Sequence, residues 1–179
     1  MANRQLALAL CFGDAVTAVG TVQLYPLGTK RDEEGSTYRY VKNVDATVTM
    51  VAGDLVYRDG TLTNTAWQIN GDVSDVDSAY AAGIAQGVIA NGGYGWILTR
   101  GAASVKKKSG TAAHSWIAGD VLIAKGAATD DGKVGKLIGA AATKVSQAEL
   151  KTMLERIVGW ARGASTKAAA LGNAYIDLE

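Results

Sequence analysis

Apolar and polar side chains alternate along much of this chain with the two-residue period of a half-buried strand. The alternation is clearest at 46–51, where the threonines fall on one face, and it recurs at 38–42 and 174–178. Shorter apolar segments with strand character lie at 54–58, 67–69, 87–90, 94–98 and 157–161. Many short segments of this kind predict a protein built mainly of β-strands.

Turn dipeptides separate these segments and support the same fold class. The pairs are Asp59-Gly60, Asn70-Gly71, Asn91-Gly92 and Asp131-Gly132, and each tolerates the positive φ angles of a tight turn. We therefore predict one β-rich domain over 16–179, built as a small β-barrel or a β-sandwich, which the alternation does not distinguish. Residues 1–15 precede it as a strand or an arm.

One segment has helical periodicity instead. Ser146 and Glu149 have the spacing of a capping box, in which each side chain satisfies a backbone N–H at the start of a helix. Apolar residues then recur at spacings of three and four, from Leu150 to Ile157. This pattern predicts one short helix at about 147–156.

The stretch 26–37 is rich in charge. Five consecutive charged residues, 30–34, are bounded by Gly28 and Gly35. Such a stretch is typical of a solvated loop, or of an extended arm that reaches a neighbour. We predict a charged loop, with Lys30 and Arg31 as candidate contacts to a partner.

A short internal echo links two further segments. Val51–Val56 and Ile117–Leu122 both place a Gly-Asp pair before an apolar run. A duplicated binding unit would give such an echo, but six residues are too few to establish a repeat. We interpret both segments as turns that lead into strands.

The charge balance limits the partners. With 18 basic and 17 acidic residues, the net charge of +1 does not attract nucleic acid by itself. The basic run Lys106, Lys107 and Lys108 has no aromatic neighbour, so it indicates a solubilising loop or a contact with an acidic protein surface. No apolar run approaches the roughly 20 residues of a membrane span, so we expect no membrane partner.

Reactive groups are sparse. The single histidine, His114, has no carboxylate nearby in sequence and no nucleophile elbow, and one histidine with one cysteine, Cys11, cannot build a zinc site without carboxylates. The acidic run 72–77 lacks the glycine and the ligand spacing of a calcium loop. We expect no enzymatic activity, no cofactor and no metal. The single cysteine allows no intrachain disulfide, which fits synthesis in a reducing cytoplasm.

Several of these segments together resemble the small head proteins of tailed phages. They are Tyr25-Pro26-Leu27-Gly28-Thr29, Tyr38-Arg39-Tyr40-Val41, Gly87-Val88-Ile89, Tyr94-Gly95-Trp96, Arg100-Gly101 and Ala118-Gly119-Asp120. The segment after Ser146 departs from that pattern. The resemblance implies a capsid decoration, or cement, protein: a β-rich virion component, made in the host cytoplasm, that binds the major capsid protein on the outside of the shell, often as a trimer.

Such a protein would need surface anchors, and tryptophan supplies much contact energy per residue. The natural anchors are therefore Trp67, Trp96, Trp116 and Trp160, although Trp96 fits core packing better. The candidate contacts with the capsid or between subunits are Lys30, Arg31, Trp67, Lys106, Lys107, Lys108 and Trp116. The alternative function is a carbohydrate- or cell-surface-binding module of a phage head or tail fibre, because exposed aromatic side chains on a β-scaffold suit sugars.

Overall fold

The computed structural model describes residues 13–59, 67–71, 81–106, 116–124, 134–136, 157–164 and 171–178. Ten strands lie in these ranges: β1 (Lys30–Glu33), β2 (Ser36–Asn43), β3 (Leu55–Arg58), β4 (Gln68–Asn70), β5 (Ala81–Ala85), β6 (Tyr94–Lys106), β7 (Val121–Ala124), β8 (Val134–Lys136), β9 (Ile157–Ala161) and β10 (Leu171–Asp177). The prediction of a mainly β protein is confirmed. The predicted helix at 147–156 lies outside the described residues.

Five of the strands close into a ring. β2 pairs in parallel with β4 and antiparallel with β6, while β4, β3, β5 and β6 pair antiparallel in that order. Apolar side chains that alternate along these strands fill the interior of the ring. They are Val41, Val56, Ile69, Ala82, Ala85 and Ile97, joined by Met50 and Ile89 from the connecting segments.

A second set of strands extends the sheet from the same long strand. The 13 residues of β6 pair with β2 and β5 in their first part and with β10 from Arg100 onward. The sheet continues from β10 through β9 and β7 to β8, and we call these four strands the extension. Leu55, Tyr57, Ile84 and Leu98 on the outside of the ring share a second core with residues of the extension that include Leu122, Val158 and Ile176.

The segment before β1 covers another part of the ring. The ring of Tyr25 packs edge-on against Tyr40, with 5.2 Å between centroids, and lies 5.4 Å from Trp96. Asp14 accepts hydrogen bonds from the Tyr25 hydroxyl and from Nε1 of Trp96, the latter at 3.3 Å. Of the predicted N-terminal strand or arm, only residues 13–15 are described, and Asp14 ties them to the ring.

The prediction of a loop over 26–37 is wrong. β1 and β2 form a hairpin in this stretch, with Lys30 opposite Arg39 and Glu33 opposite Ser36, and the turn uses positive φ at Glu34 and Gly35. The charged run suits a strand because the Arg31 side chain turns inward, where it is only 11% exposed, and packs over the Trp96 ring. Its neighbours in β1 remain exposed to solvent.

The predicted strand at 46–51 is also wrong, because local side chains take its backbone groups. The Asn43 amide donates to the carbonyl of Val48 at 3.0 Å. One carboxylate oxygen of Asp45 accepts from the N–H groups of Thr47 and Val48. Such bonds compete with strand pairing, and only Met50 forms a bridge, to Ile89. The predicted strand at 87–90 is likewise reduced to this bridge.

Candidate interaction surface

An exposed apolar row crosses the extension. Val121 lies opposite Trp160, and Trp160 lies opposite Tyr175. Trp160 is 43% exposed, and its ring stacks on that of Tyr175 with 5.1 Å between centroids and an interplanar angle of 17°. Ile117, at the turn before β7, is 62% exposed. We call Ile117, Val121, Trp160 and Tyr175 the apolar row.

Gly159 makes Trp160 face outward. Regular alternation would place Val158 and Trp160 on one face of β9, yet Val158 and Ala161 are both buried in the same core. The change occurs at Gly159, which has φ of +151° beside a shift in the β7–β9 register. A Cβ at this position would overlap the carbonyl oxygen of Tyr175, so only glycine fits.

The turn that carries Ile117 has a counterpart in the ring. In the first turn the N–H of Asp54 donates to the carbonyl of Val51, and the Asp54 carboxylate accepts from the N–H of Val51 at 2.7 Å. Asp120 and Ile117 make the same two bonds, the second at 2.8 Å. Both echo segments therefore are turns that lead into strands, as predicted.

The surroundings of the two turns differ. Lys106 covers the first turn, because its ammonium lies 2.7 Å from the Asp54 carboxylate and its N–H donates to the carbonyl of Gly53. In the second turn, the space that a Cβ of Gly119 would occupy is open. The second turn thus leaves its apolar residue, Ile117, at the surface.

A second surface group lies at one end of the ring, where Arg58 is exposed and Arg39 is half-buried. Trp67 is half-buried, and the guanidinium carbons of Arg58 and Arg39 lie 3.9 and 5.0 Å from its ring centroid. Burial, and then the neighbouring charge of Arg39, lower the pKa of Arg58 below its usual value. We call Arg39, Arg58 and Trp67 the ring-end cluster.

The structure separates the predicted contact residues. Lys30 is exposed, with Asp32 at 3.6 Å, and it lies opposite Arg39 of the ring-end cluster. Arg31 is held by Glu33 at 2.9 Å and by the carbonyl of Asp14 at 2.6 Å, so it serves the fold. Lys106 lies at the last residue of β6, beside Asp54. Lys107 and Lys108 lie outside the described residues.

Trp116 is not a surface contact. It is 1% exposed and belongs to the core shared by the ring and the extension, where a Cβ at Gly172 would overlap its ring. Its small-residue surroundings in sequence gave no sign of this burial. Conversely, Tyr175 is not among the predicted contacts, although the alternation at 174–178 places it on the face opposite Ala174 and Ile176.

The described residues provide little for chemistry. One open depression of about 440 Å³ is lined by Ala102, Ala103, Ser104, Arg162, Asn173 and Ala174, which include no histidine, cysteine or carboxylate. Within the described ranges, no three histidine, cysteine or acidic side chains cluster as metal ligands would. In the same ranges no helix has the length and hydropathy to cross a membrane. Cys11, His114 and the acidic run 72–77 lie outside these ranges.

Comparison with known proteins gives a structural likeness but no match in sequence. The sequence matches no protein family profile and no curated protein. Among solved structures, the chain is similar to the N base of the head fibre protein gp8.5 of bacteriophage phi29, at 12% sequence identity and a TM-score of 0.45. The match covers 80% of this chain and 96% of that chain. No residue role passes from that protein to this one.

Proposed function

We propose that this chain is a non-enzymatic structural protein of a tailed-phage virion, which binds the outer surface of the major capsid shell and stabilises it. The observation that carries the proposal is the apolar row on the extension. It presents Trp160, stacked on Tyr175, on a strand face rather than in a cleft. The protein is made in the host cytoplasm and acts on the virion surface.

Exposed apolar side chains that lie together mark sites of protein contact. A tryptophan that is fixed by stacking loses little further freedom on binding, so its burial contributes strongly to an interface. Polar groups border the row, including the ion pair of Arg100 and Asp177, as they do at the rim of many interfaces. The arrangement suits a rigid surface that docks on a rigid shell.

The partner and the oligomer come from the sequence resemblance to phage decoration proteins. By that resemblance, the partner is the major capsid protein and the oligomer is a homotrimer. Three copies linked in one trimer would bind neighbouring capsid subunits at the same time. This multivalency would raise the overall affinity for the shell without any new type of contact. Nucleic acid and membranes are not partners in this proposal, since the net charge is only +1.

The test is binding to capsids of the parent phage that lack this protein. Wild-type protein should bind saturably, and Trp160→Ser should weaken binding by about tenfold or more because it removes the central anchor. Val22→Ser is the matched control, since Val22 is 69% exposed and belongs to the segment before β1. Absence of saturable binding, or equal weakening by both substitutions, would overturn the proposal. Sedimentation of the free protein tests the trimer.

The second candidate is a carbohydrate- or cell-surface-binding module of a head or tail fibre. The observation that favours it is the same stacked pair of an exposed Trp160 and a half-buried Tyr175, because aromatic faces pack against sugar rings. It predicts a saturable change in tryptophan fluorescence when host surface glycans are added, abolished by Trp160→Ser. A glycan response without capsid binding would favour this candidate over the first.

A further inference from the structure

The chain contains two Asn-Gly pairs, Asn70-Gly71 and Asn91-Gly92. In such a pair the backbone nitrogen of the glycine can attack the side-chain carbonyl carbon of the asparagine, because no Cβ hinders the approach. The glycine nitrogen gives up its proton and forms a new C–N bond, and the side-chain nitrogen leaves with that proton as ammonia. Water then opens the resulting succinimide ring to aspartate or isoaspartate. The reaction therefore needs no enzyme and no reactant other than water.

The sheet protects Asn70 from this reaction. Asn70 is 7% exposed and lies opposite Tyr57 of β3. The N–H of Gly71 donates to the buried carboxylate of Asp45 at 3.2 Å. A Cβ on Gly71 would come within 2.9 Å of the Val48 side chain, so this backbone is also closely packed. The attacking nitrogen is thus held by a buried acceptor, and Asn70 reaches water only when β4 separates from β3.

Asn91 lies in different surroundings, at an exposed turn just before β6. Its side-chain amide donates to the carbonyl of Ala46 at 3.3 Å, in a bond that is itself exposed. Gly92 has φ of +71°, and no atom lies within 4 Å of the place that a Cβ would take. Its N–H donates to the carbonyl of Asn43 at 2.9 Å. When these two hydrogen bonds open, both reacting groups are released while the strands stay paired.

We propose that Asn91 is a modification site of the folded protein, where spontaneous deamidation produces aspartate or isoaspartate, and that Asn70 stays unmodified. Surface turns open at a lower free energy than paired strands, and the reaction proceeds from the opened turn.

The modification would change the turn itself. Isoaspartate carries the backbone through the side-chain carbon, and the added atom would disturb the bonds that Asn43 exchanges with Gly92 and Gly93. It would also add a negative charge to a chain of net charge +1. The inference does not depend on the proposed function, since Asn91 is not part of the apolar row.

The test is ageing of the full chain in mildly alkaline buffer, which favours loss of the amide proton. Digestion and mass spectrometry then measure deamidation in the peptides that contain Asn70 and Asn91. Asn91 should deamidate about tenfold or more faster than Asn70, because opening the turn costs less free energy than separating the strands. The two sites share one chain and one buffer, so Asn70 is the matched control. In concentrated urea, where the fold is lost, the two rates should converge.

A variant verifies the assignment. Asn91→Gln should abolish the early product that an isoaspartyl methyltransferase detects, since glutamine would have to form a larger ring. Circular dichroism before and after ageing verifies that the chain stays folded.

Two results would overturn the inference. One is deamidation of Asn70 in the folded chain at a rate equal to or above that of Asn91. The other is an unmodified Asn91 after a period in which the chain in urea has deamidated fully, which would mean that the bond from Gly92 to Asn43 protects this site as well.

Discussion

Asp14 is the residue that fastens the segment before β1 to the ring. Burial alone would raise the pKa of its carboxyl, but hydrogen bonds from Tyr25 and Trp96, together with the charge of Arg31, hold that pKa below its usual value. The same contact, with burial, raises the pKa of the Tyr25 hydroxyl to about 12. Both shifts favour an ionised Asp14 beside a neutral Tyr25 at neutral pH.

This arrangement predicts a pH-dependent effect of Asp14→Asn. A carboxyl whose pKa is lower in the folded chain stabilises the fold above its unfolded pKa, near 3.8, and loses that effect as the pH falls through the lower folded value. At pH 7 the substitution should reduce the free energy of unfolding by about 1–3 kcal/mol. Urea unfolding from about pH 7 to pH 3 should show this difference shrinking. A constant difference would contradict the role of the charge.

Single residues also show what the sequence could not reveal. Gly28 belongs to the segment Tyr25-Pro26-Leu27-Gly28-Thr29, and a turn at this point would account for a glycine. Its contact with Trp67 depends on how β4 lies beside β2, which no local pattern encodes. For the same reason Trp67 and Trp116 were equivalent candidates in sequence, although one is half-buried at the ring end and the other is fully buried.

Among the structural elements, the turns at Gly53-Asp54 and Gly119-Asp120 have the same hydrogen bonds but different surroundings. In each, the aspartate closes the turn with its backbone and its carboxylate. The likeness extends to the next strand, because Gly53 and Asp54 exchange backbone bonds with Ala85 as Gly119 and Asp120 do with Ala161. The turns thus fix the start of β3 beside β5 and the start of β7 beside β9.

Their surroundings predict unequal costs of substitution. Asp54 is buried at 8% exposure and faces Lys106, whereas Asp120 is half-buried. Asp54→Ala should therefore reduce the free energy of unfolding by about 2–4 kcal/mol, and Asp120→Ala by about 1 kcal/mol. Chemical denaturation of the two variants measures the difference. Equal losses in the free energy of unfolding would show that the bonds within the turn, and not the contact of Asp54 with Lys106, determine the stability.

Period-two alternation predicted β2 and β10, and short apolar segments predicted β3, the first part of β6 and β9. Alternation failed where other interactions decide the backbone. It failed at 46–51, where Asn43 and Asp45 hold the backbone of the next residues. It also missed β1, because a run of charged residues shows no apolar face, and the inward side chain there is an arginine over a tryptophan ring. Neither the side-chain bonds at 46–51 nor the stacking of Arg31 on Trp96 depends on hydrophobic periodicity.

Over the ranges that the structure describes, two cores share strands. β3, β5 and β6 each have one face in the ring interior and the other in the core beneath the extension. Loss of packing in either core therefore exposes the other side of the same strands. We expect the ring and the extension to unfold together.

The test is Leu98→Ala, since Leu98 lies 1% exposed between the two parts. It should cost about 2–5 kcal/mol, as large-to-small changes in cores do. Hydrogen exchange of peptides from β2 and from β10 should then lose protection at the same denaturant concentration, in the wild type and in the variant. Protection that persists in β2 after it is lost in β10 would mean that the two parts are independent. Val22→Ala, at an exposed position, is the control.

The long strand β6 has a mechanical consequence. Its 13 residues run without interruption from the ring to the pairing with β10, the first strand of the extension. A pull on the extension is therefore transmitted to the ring by covalent backbone and by hydrogen bonds that are loaded parallel to the strands. A continuous, hydrogen-bonded strand resists stretching far better than a flexible linker between two separate domains. Tension applied at the apolar row would accordingly be borne by the whole sheet.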